Sequence, residues 1–236
     1  MPSMRKARQK KDLGITGMMA KWYDKNTRKS RLNEMREYAD LVAGCAKTGA
    51  NVLEVAPGPG YLSIELAKRG YTVTGVEISA DFVAIEKSNA GEAGVTVDFK
   101  QGNASSLPLQ DGTYDFIICS AAFKNFSEPL KALEEMHRVL KPDGTALILD
   151  MNHGATNEDI EAEMQKSGMI GFDRWFVKLS FKTFLKNGAY TKEGFEDLIA
   201  QTGFGSHKII KYGIGFQVWL YKGPLSKMNK ERQDKT

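Results

Sequence analysis

The sequence has few of the residues that build metal centres or disulfide frameworks. It contains two cysteines, Cys45 and Cys119, and three histidines in 236 residues. The cysteines form no CxxC pair and the histidines are scattered, so neither a zinc site nor a disulfide framework is expected. We therefore predict no bound metal and a reducing, cytoplasmic location.

Long apolar runs are also missing. The uninterrupted apolar stretches are strand-sized, such as Phe116–Cys119. A membrane span needs about 18 consecutive apolar residues, and no apolar segment follows the basic N-terminus to make a secretory signal. The sequence therefore predicts neither a membrane span nor a leader.

The net charge of +4 conceals an uneven distribution. Residues 1–31 carry ten Lys or Arg against Asp12 and Asp24, residues 222–236 carry five against two acids, and the remainder is acidic. Basic ends of this kind suit nucleic acid or anionic lipid, although solvated termini have the same composition. No aromatic residue interleaves with the Arg5–Lys11 cluster, so nucleic acid is not favoured.

Strand-like and helix-like segments alternate through the middle of the chain. Short apolar or β-branched runs predict five strands, separated by helices of about ten residues. This alternation is typical of parallel βαβ units, and strands apolar on both faces indicate helices on both sides of the sheet. The predicted strands are Asn51–Val55, Thr72–Ile78, Val95–Lys100, Tyr114–Ser120 and Thr145–Asp150.

The flanking segments complete the predicted architecture. Residues 13–30 predict one or two short helices, and residues 31–48 have helical apolar periodicity. Two later strands, His207–Tyr212 and Phe216–Tyr221, are joined closely enough to form an antiparallel hairpin. The fold class is therefore α/β, with a doubly wound, mostly parallel, Rossmann-like sheet of seven strands.

The carboxyl ends of the first two predicted strands carry a glycine-rich turn and an acid. Ligands of open parallel sheets bind outside these ends. The turn at residues 57–60 lets the backbone pass close to a ligand. Glu77 lies twenty-three residues after Glu54, where an acid hydrogen-bonds ribose hydroxyls. The pattern predicts a cofactor that contains adenosine.

A dinucleotide is disfavoured at this turn. The GxGxxG fingerprint would require a third glycine where the chain has Ser63, and Pro59 separates the first two glycines. A nicotinamide-dependent oxidoreductase is therefore a weak alternative.

Four motifs in one order resemble the class I S-adenosylmethionine-dependent methyltransferases, nearest to the ubiquinone/menaquinone-biosynthesis type. The resemblance runs from about Val52 to Asp150. Each motif alone is weak, but their shared order and spacing are specific. The motifs are LEVAPGPG at 53–60, GVEIS at 75–79, GNASSLPLQDGTYDFIICS at 102–120 and PLKALEEMHRVLKPDGTALILD at 129–150.

The resemblance implies S-adenosyl-L-methionine as cofactor, S-adenosyl-L-homocysteine as product, and a role for each matching residue. Glu54 would orient the methionine ammonium group, and Glu77 would hold the ribose hydroxyls. The other implied positions are Tyr23 as a lid, Ala56, Gly58 and Gly60 at the methionine part, Ile78, Asn103 and Ala104 at the adenine, and Ser120 near the sulfonium.

The chain departs from the family pattern at three places. Ala56 stands where glycine is usual, and Asn103 where aspartate is commoner. The segment AAFKNF at 121–126 replaces the paired histidines of many relatives. The acceptor of the quinone branch is therefore not carried over to this chain.

Three residues are candidates for a catalytic role. Sulfonium methyl transfer is an in-line displacement, in which positioning supplies about 7–11 kcal/mol. A base is needed only where the acceptor must lose a proton. His153 is preferred because imidazole titrates near neutral pH, although a solvent-facing loop histidine would occupy the same place. Lys124 and Asn125 are the other candidates, whereas Asp150 is expected to cap or orient and not to abstract a proton.

The resemblance gives each region a predicted role. Residues 1–30 form a basic tail and cofactor lid, residues 31–222 one methyltransferase domain, and residues 223–236 a second basic tail. Residues 151–190 form an insertion whose aromatics suit an apolar or aromatic acceptor, or only pack on the sheet. These aromatics are Phe172, Trp175, Phe176, Phe181 and Phe184.

The sequence thus predicts methyl transfer to a small-molecule acceptor by a monomer or homodimer. One alternative is an RNA or protein methyltransferase that uses the basic tails, which steep salt dependence of binding would indicate. The other is a protein of the same fold that binds the cofactor without catalysis.

Overall fold

The computed structural model describes residues 14–166 and 188–223, apart from the side chains at 29, 30, 163, 164 and 166. The five aromatics predicted to line an acceptor pocket lie outside these residues. So do residues 1–13 and 224–236, which hold most of the predicted basic tails.

Within the described residues, seven strands form one sheet in the order β3-β2-β1-β4-β5-β7-β6. Strands β1 to β5 are parallel, and β7 is antiparallel to both of its neighbours. The strand order reverses between β1 and β4, which opens a crevice at their carboxyl ends. The strands are β1 Asn51–Val55, β2 Thr72–Glu77, β3 Asp98–Gln101, β4 Tyr114–Ser120, β5 Leu140–Met151, β6 Ser206–Tyr212 and β7 Gly215–Tyr221.

Helices cover both faces of the sheet, as the apolar strands predicted. Consecutive residues of β4 point to opposite faces. Phe116 packs in the cluster formed with α1 and α2, whereas Ile117 packs in the cluster formed with α4 and α6. The helices are α1 Met18–Ala43, α2 Tyr61–Lys68, α3 Ala80–Ala93, α4 Pro129–Val139, α5 Asn157–Lys166 and α6 Lys192–Ile199, with a 3-10 helix at Phe123–Asn125.

The N-terminal region differs from its prediction. Residues 18–43 form one helix of 26 residues, not short helices followed by a separate one. No proline or glycine interrupts this stretch, so nothing in the backbone stops the helix. Only the second half of the helix has helical apolar periodicity, so the sequence did not predict that the first half continues into it.

Helix caps agree with the sequence at two of three positions. The side chains of Ser79 and Thr191 accept backbone N–H groups at the starts of α3 and α6, as predicted. The predicted cap Ser127 is wrong, because Glu128 is the N-cap of α4 and makes no side-chain cap bond. Pro129 fixes this start instead, since its missing N–H costs nothing in the first turn.

Candidate cofactor site

A cavity of about 370 Å³ lies at the carboxyl ends of β1, β2 and β4. Its size is ordinary for a small-molecule site. The structure brings most of the predicted site residues together in its wall. Those that line the cavity are Tyr23, Ala56, Gly58, Glu77, Ile78, Asn103, Ala104, Ser120, Lys124 and Asn125.

The turn after β1 has a left-handed backbone at three positions. Ala56 has φ +57°, Gly58 has φ +60° and Gly60 has φ +80°. Among the described residues, no heavy atom lies within 4 Å of the Cβ position at Gly58. An alanine in this conformation costs about 1–2 kcal/mol. Glycine would adopt this conformation at position 56 without strain. Because this chain has Ala56 where the family usually has glycine, the backbone of the glycine-rich turn is strained there.

Glu77 is fixed at the end of β2 by two backbone groups. Its Oε2 accepts the N–H of Gly58 at 3.2 Å, and its Oε1 accepts the N–H of Ser79 at 2.9 Å. Burial raises the pKa of Glu77 above its ordinary value, and the two backbone N–H groups oppose that shift. Each carboxylate oxygen keeps a further lone pair for a ligand hydroxyl.

Two predicted cofactor residues, Gly60 and Glu54, do not line the cavity. Gly60 has φ +80°, and a Cβ there would lie 3.0 Å from Phe99 and 3.1 Å from Glu86, so backbone conformation and packing both favour glycine. Glu54 is 1% exposed and accepts a hydrogen bond from Ser63 Oγ at 2.5 Å. Burial raises the pKa of Glu54 to about 7. Any contact of Glu54 with a ligand must pass through another group.

Glu86 is a third buried carboxyl group beside the turn, and the sequence did not single it out. It is fully buried on α3, and neither oxygen has a hydrogen-bond partner among the described residues. Burial and the charges of Glu77 and Glu54 raise the pKa of Glu86 to about 10. The group is therefore neutral at physiological pH, which lowers the cost of burying it.

Helix α1 closes one side of the cavity with a tyrosine–arginine pair. The ring of Tyr23 meets Phe82 edge to face, with centroids 6.0 Å apart. Arg31 donates from Nη1 to the Tyr23 hydroxyl at 3.0 Å, and both residues line the cavity. The sequence alone does not single out Arg31, because its eight-residue spacing from Tyr23 places the two residues on one face only if α1 is continuous.

Polar contacts connect α1 to the glycine-rich turn. Asp24 Oδ1 accepts hydrogen bonds from Tyr61 Oη at 2.5 Å and from Asn89 Nδ2 at 3.1 Å. Asn89 Nδ2 also donates to the carbonyl of Pro59 at 2.9 Å. The position of α1 is thus coupled to the shape of the turn.

The turn after β3 contains two of the residues predicted to contact the adenine, Asn103 and Ala104. Asn103 Oδ1 accepts the N–H of Ser105 at 2.9 Å, which shapes this turn. Ala104 is buried and Ile78 is half-buried in the same wall. The departure to asparagine thus preserves the acceptor oxygen that an aspartate would supply.

Lys124 follows β4 and is a buried cation in the cavity wall. It is 7% exposed, and its Nζ donates to the carbonyl of Ala121 at 2.8 Å. The same Nζ lies 3.4 Å from Asp150 Oδ1, while Asp150 Oδ2 accepts the backbone N–H of Lys124 at 2.7 Å. Asp150 therefore both neutralises and orients Lys124, the orienting role expected of it.

The other two candidate catalytic residues separate in the structure. Asn125 is exposed and lines the cavity beside Lys124. His153 is also exposed but does not line the cavity, and its backbone N–H donates to the carbonyl of Tyr190 at 3.0 Å. In residues 14–166 and 188–223, no three His, Cys, Asp or Glu side chains are placed to hold a metal ion.

Comparisons with known proteins agree with this site. A methyltransferase-domain family matches residues 53–148. The ubiquinone/menaquinone biosynthesis C-methyltransferase UbiE of Bdellovibrio bacteriovorus is 31% identical over 191 residues, which cover 76% of this chain and 80% of that protein. A demethylmenaquinone methyltransferase of Thermus thermophilus is 34% identical over 106 residues, covering 44% of this chain and 48% of that protein. The chain thus spans most of the first relative and about half of the second.

Solved structures show the same fold. An S-adenosylmethionine-dependent methyltransferase from Aquifex aeolicus superposes with a TM-score of 0.65 at 21% identity, over 88% of this chain and 98% of that one. The [4+2]-cyclase SpnF superposes with a TM-score of 0.53 at 20% identity, over 80% of each chain. At these identities the likeness concerns the fold alone.

The protein belongs to the class I S-adenosylmethionine-dependent methyltransferases, because its sheet order, its glycine-rich turn and its family match agree. Within this class it is of the ubiquinone/menaquinone-biosynthesis type, as the long match to the Bdellovibrio enzyme shows. The predicted family, fold class, enzyme class and cofactor are therefore confirmed. Among the described helices, none combines the length and apolar composition needed to cross a bilayer.

Proposed function

We propose that the protein transfers the methyl group of S-adenosylmethionine to a small apolar or aromatic acceptor with an ionisable oxygen. One observation carries this proposal. A single cavity contains both the fixed carboxylate of Glu77 and the buried ammonium group of Lys124. The first suits a ribose and the second suits an acceptor oxygen.

The cavity fits the cofactor at several groups. The open side of Gly58 leaves room for a ligand close to the backbone, and Glu77 has lone pairs for the ribose hydroxyls. Ile78 and Ala104 would hold the adenine between apolar atoms. The Arg31 guanidinium would pair with the methionine carboxylate. When bound, the cofactor supplies an electrophilic methyl group on a sulfonium.

The electrostatics of the turn favour a cationic ligand. The carboxylate of Glu77 lies in the cavity wall. Opposite charge in a poorly hydrated site is attracted more strongly than in water. The sulfonium of S-adenosylmethionine is positive, whereas the thioether of S-adenosylhomocysteine has lost that charge. Glu77 would therefore hold the product less strongly than the cofactor.

Lys124 is the residue that we assign to the acceptor. An ammonium group beside a phenol or enol lowers the pKa of that hydroxyl group and stabilises the oxyanion left when its proton passes to solvent. The acceptor would then form a bond to the methyl carbon as the bond from that carbon to the sulfonium sulfur breaks. Phe126 and Met35, which also line the cavity, suit an aromatic ring. The relatives carry the names of ubiquinone and menaquinone biosynthesis enzymes, which supports an aromatic small molecule as the acceptor class. His153 stays a weaker candidate, since it does not line the cavity.

Calorimetric titration with S-adenosylmethionine, S-adenosylhomocysteine and NAD in parallel tests the cofactor half of this proposal. We expect the two sulfur compounds to bind at micromolar concentration and NAD not to bind. Binding of NAD alone would contradict it.

A second measurement must separate catalysis from binding. The fold of a [4+2]-cyclase is similar, so cofactor affinity does not by itself establish turnover. We expect phenolic or enolic acceptors to release S-adenosylhomocysteine, with the methyl group recovered on the acceptor. Cofactor binding without turnover on any such acceptor would support the alternative of a non-catalytic protein. The domain boundaries, the cytoplasmic location and the monomeric or homodimeric state stay predictions.

A further inference from the structure

The first turns of α1 expose large apolar side chains. Met18 is 88% exposed, Met19 64% and Trp22 59%, the highest fractions among the large hydrophobic residues that the structure describes. Met18 and Trp22 are four residues apart and therefore neighbours on the helix surface. An exposed patch of this kind marks an interaction site more often than isolated apolar residues do.

Two lysines lie on the same side of the helix. Lys21 and Lys25 are exposed and also four residues apart, so they form a basic row beside the apolar one. On the opposite side, Ala20 is buried and Asp24 accepts the hydrogen bond from Tyr61. We call Met18, Met19, Lys21, Trp22 and Lys25 the α1 entry face.

We propose that the α1 entry face docks on the surface of an anionic lipid bilayer. Tryptophan favours the boundary between acyl chains and headgroups, and lysine keeps its ammonium group in the headgroup layer while its stem lies on apolar surface. Each lysine near an anionic surface adds attraction. A second copy of the same basic face would be repelled instead. The cation and apolar rows together fit an interfacial helix.

The charge of the adjoining sequence favours the same partner. Residues 1–13 add five Lys or Arg against one Asp, directly before this helix. Anchoring at a membrane generally needs two contributions, and an apolar face with a basic segment supplies both. Nucleic acid is the less suitable polyanion, because one exposed tryptophan offers little for stacking and no aromatic residue interleaves with the basic cluster.

The α1 entry face is continuous with the cavity mouth. Ile15 lines the cavity and is 41% exposed. The segment is held in place because Ser79 Oγ donates to the Ile15 carbonyl at 2.6 Å and Gly17 donates its N–H to Asp81 at 2.8 Å. Docking of α1 would therefore bring the mouth to the bilayer. This last point depends on the proposed function, since only an apolar acceptor would partition from the lipid.

Vesicle sedimentation of the full chain tests the docking itself. We expect the protein to sediment with phosphatidylcholine vesicles that contain phosphatidylglycerol, but not with pure phosphatidylcholine vesicles, and to dissociate as salt is raised. The double variant Met18→Ser/Trp22→Ser should weaken binding about tenfold or more. Lys21→Glu/Lys25→Glu should also abolish the preference for the anionic lipid. Lys208→Glu/Ile210→Ser, which changes an exposed lysine and an exposed isoleucine on β6, should leave binding unchanged.

Several outcomes would overturn the proposal. The first two are that the protein does not sediment with the anionic vesicles, or that the Met18→Ser/Trp22→Ser variant binds them as well as the parent does. The other two are that the protein binds single-stranded nucleic acid more tightly than vesicles, or that it self-associates and the same variant removes this self-association. Calorimetry with S-adenosylmethionine, run on each variant, shows whether the fold and site persist. A parent protein that binds vesicles but not the cofactor would contradict the proposed function and leave the docking surface standing.

Discussion

The carboxylate of Glu77 accepts the backbone N–H of Gly58 at 3.2 Å, which joins the end of β2 to the turn after β1. Two parts of the site that are nineteen residues apart in the chain thus share one hydrogen bond. A change in either residue should alter cofactor binding before it alters the fold.

Glu77→Gln should weaken S-adenosylmethionine binding about 10- to 100-fold. The glutamine amide accepts hydrogen bonds only at its oxygen, so its NH₂ group would face one of the two backbone N–H donors, Gly58 or Ser79. The hydrogen bonds to a charged carboxylate, each worth about 1.5–3 kcal/mol, are therefore lost. Calorimetry measures the dissociation constant, and circular dichroism verifies the fold. Asp98→Asn removes an exposed carboxylate from neighbouring β3 and should have no effect. An unchanged dissociation constant for Glu77→Gln would remove Glu77 from the ribose site.

Gly58→Ala and Gly112→Ala form a matched pair. Both glycines have φ near +60°, and neither Cβ position has a described heavy atom within 4 Å. Both variants should therefore lose about 1–2 kcal/mol of unfolding free energy from backbone strain. Only Gly58 lines the cavity, so only Gly58→Ala should also weaken cofactor binding. Equal dissociation constants for the two variants would show that no ligand approaches Gly58.

Lys124→Met should lower kcat for the acceptor reaction by a factor of about 100 or more, while the cofactor dissociation constant changes less than threefold. A fixed donor beside a developing oxyanion contributes about 10²–10³ in rate. His153→Ala should have the smaller effect, because His153 does not line the cavity. Lys211→Met removes a lysine paired with Asp159 at the surface and serves as control.

The Lys124 substitution also leaves Asp150 buried without its cation, which can destabilise the fold. The double variant Lys124→Met/Asp150→Asn removes both charges and should recover thermal stability without recovering kcat. Full activity in this double variant would show that Lys124 serves only the structure. A larger loss of kcat in His153→Ala than in Lys124→Met would restore His153 as the catalytic candidate.

Glu86→Gln should make unfolding stability less dependent on pH between about 5 and 9. The pKa of Glu86 is raised to about 10 in the folded state, so above pH 4.5 the unfolded chain releases a proton that the folded protein retains. Stability therefore falls as pH rises, by at most about 1.4 kcal/mol per pH unit for one group. Glutamine cannot titrate and removes this contribution.

Denaturant titrations at several pH values measure how the free energy of unfolding changes with pH. Glu92→Gln, at the exposed end of α3, serves as control. The same pH dependence in Glu86→Gln and the parent protein would contradict the raised pKa of Glu86.

Local sequence was sufficient where a position depends on its neighbours in the chain. The caps Ser79 and Thr191 and the glycine-rich turn follow from short-range chemistry. The starts of two strands do not, since β3 begins at Asp98 where Val95 was predicted and β5 begins at Leu140 where Thr145 was predicted. The family motifs then supplied the cofactor, because the four of them lie in one order along the chain. The prediction of Ser127 as a cap was wrong. Pro129 lies in the first turn of α4, so the N-cap is Glu128.

The sequence by itself determined the fold class, the cofactor and the glycine-rich turn, because the patterns of strand and helix segments and the chemistry of turns are local properties. Only the tertiary structure decided which charged residues meet. It brought Arg31 to Tyr23, buried Glu86 with no hydrogen-bond partner among the described residues, placed Lys124 in the cavity and left His153 outside. Side-chain burial and long-range pairing depend on how whole elements pack, and no local pattern specifies that.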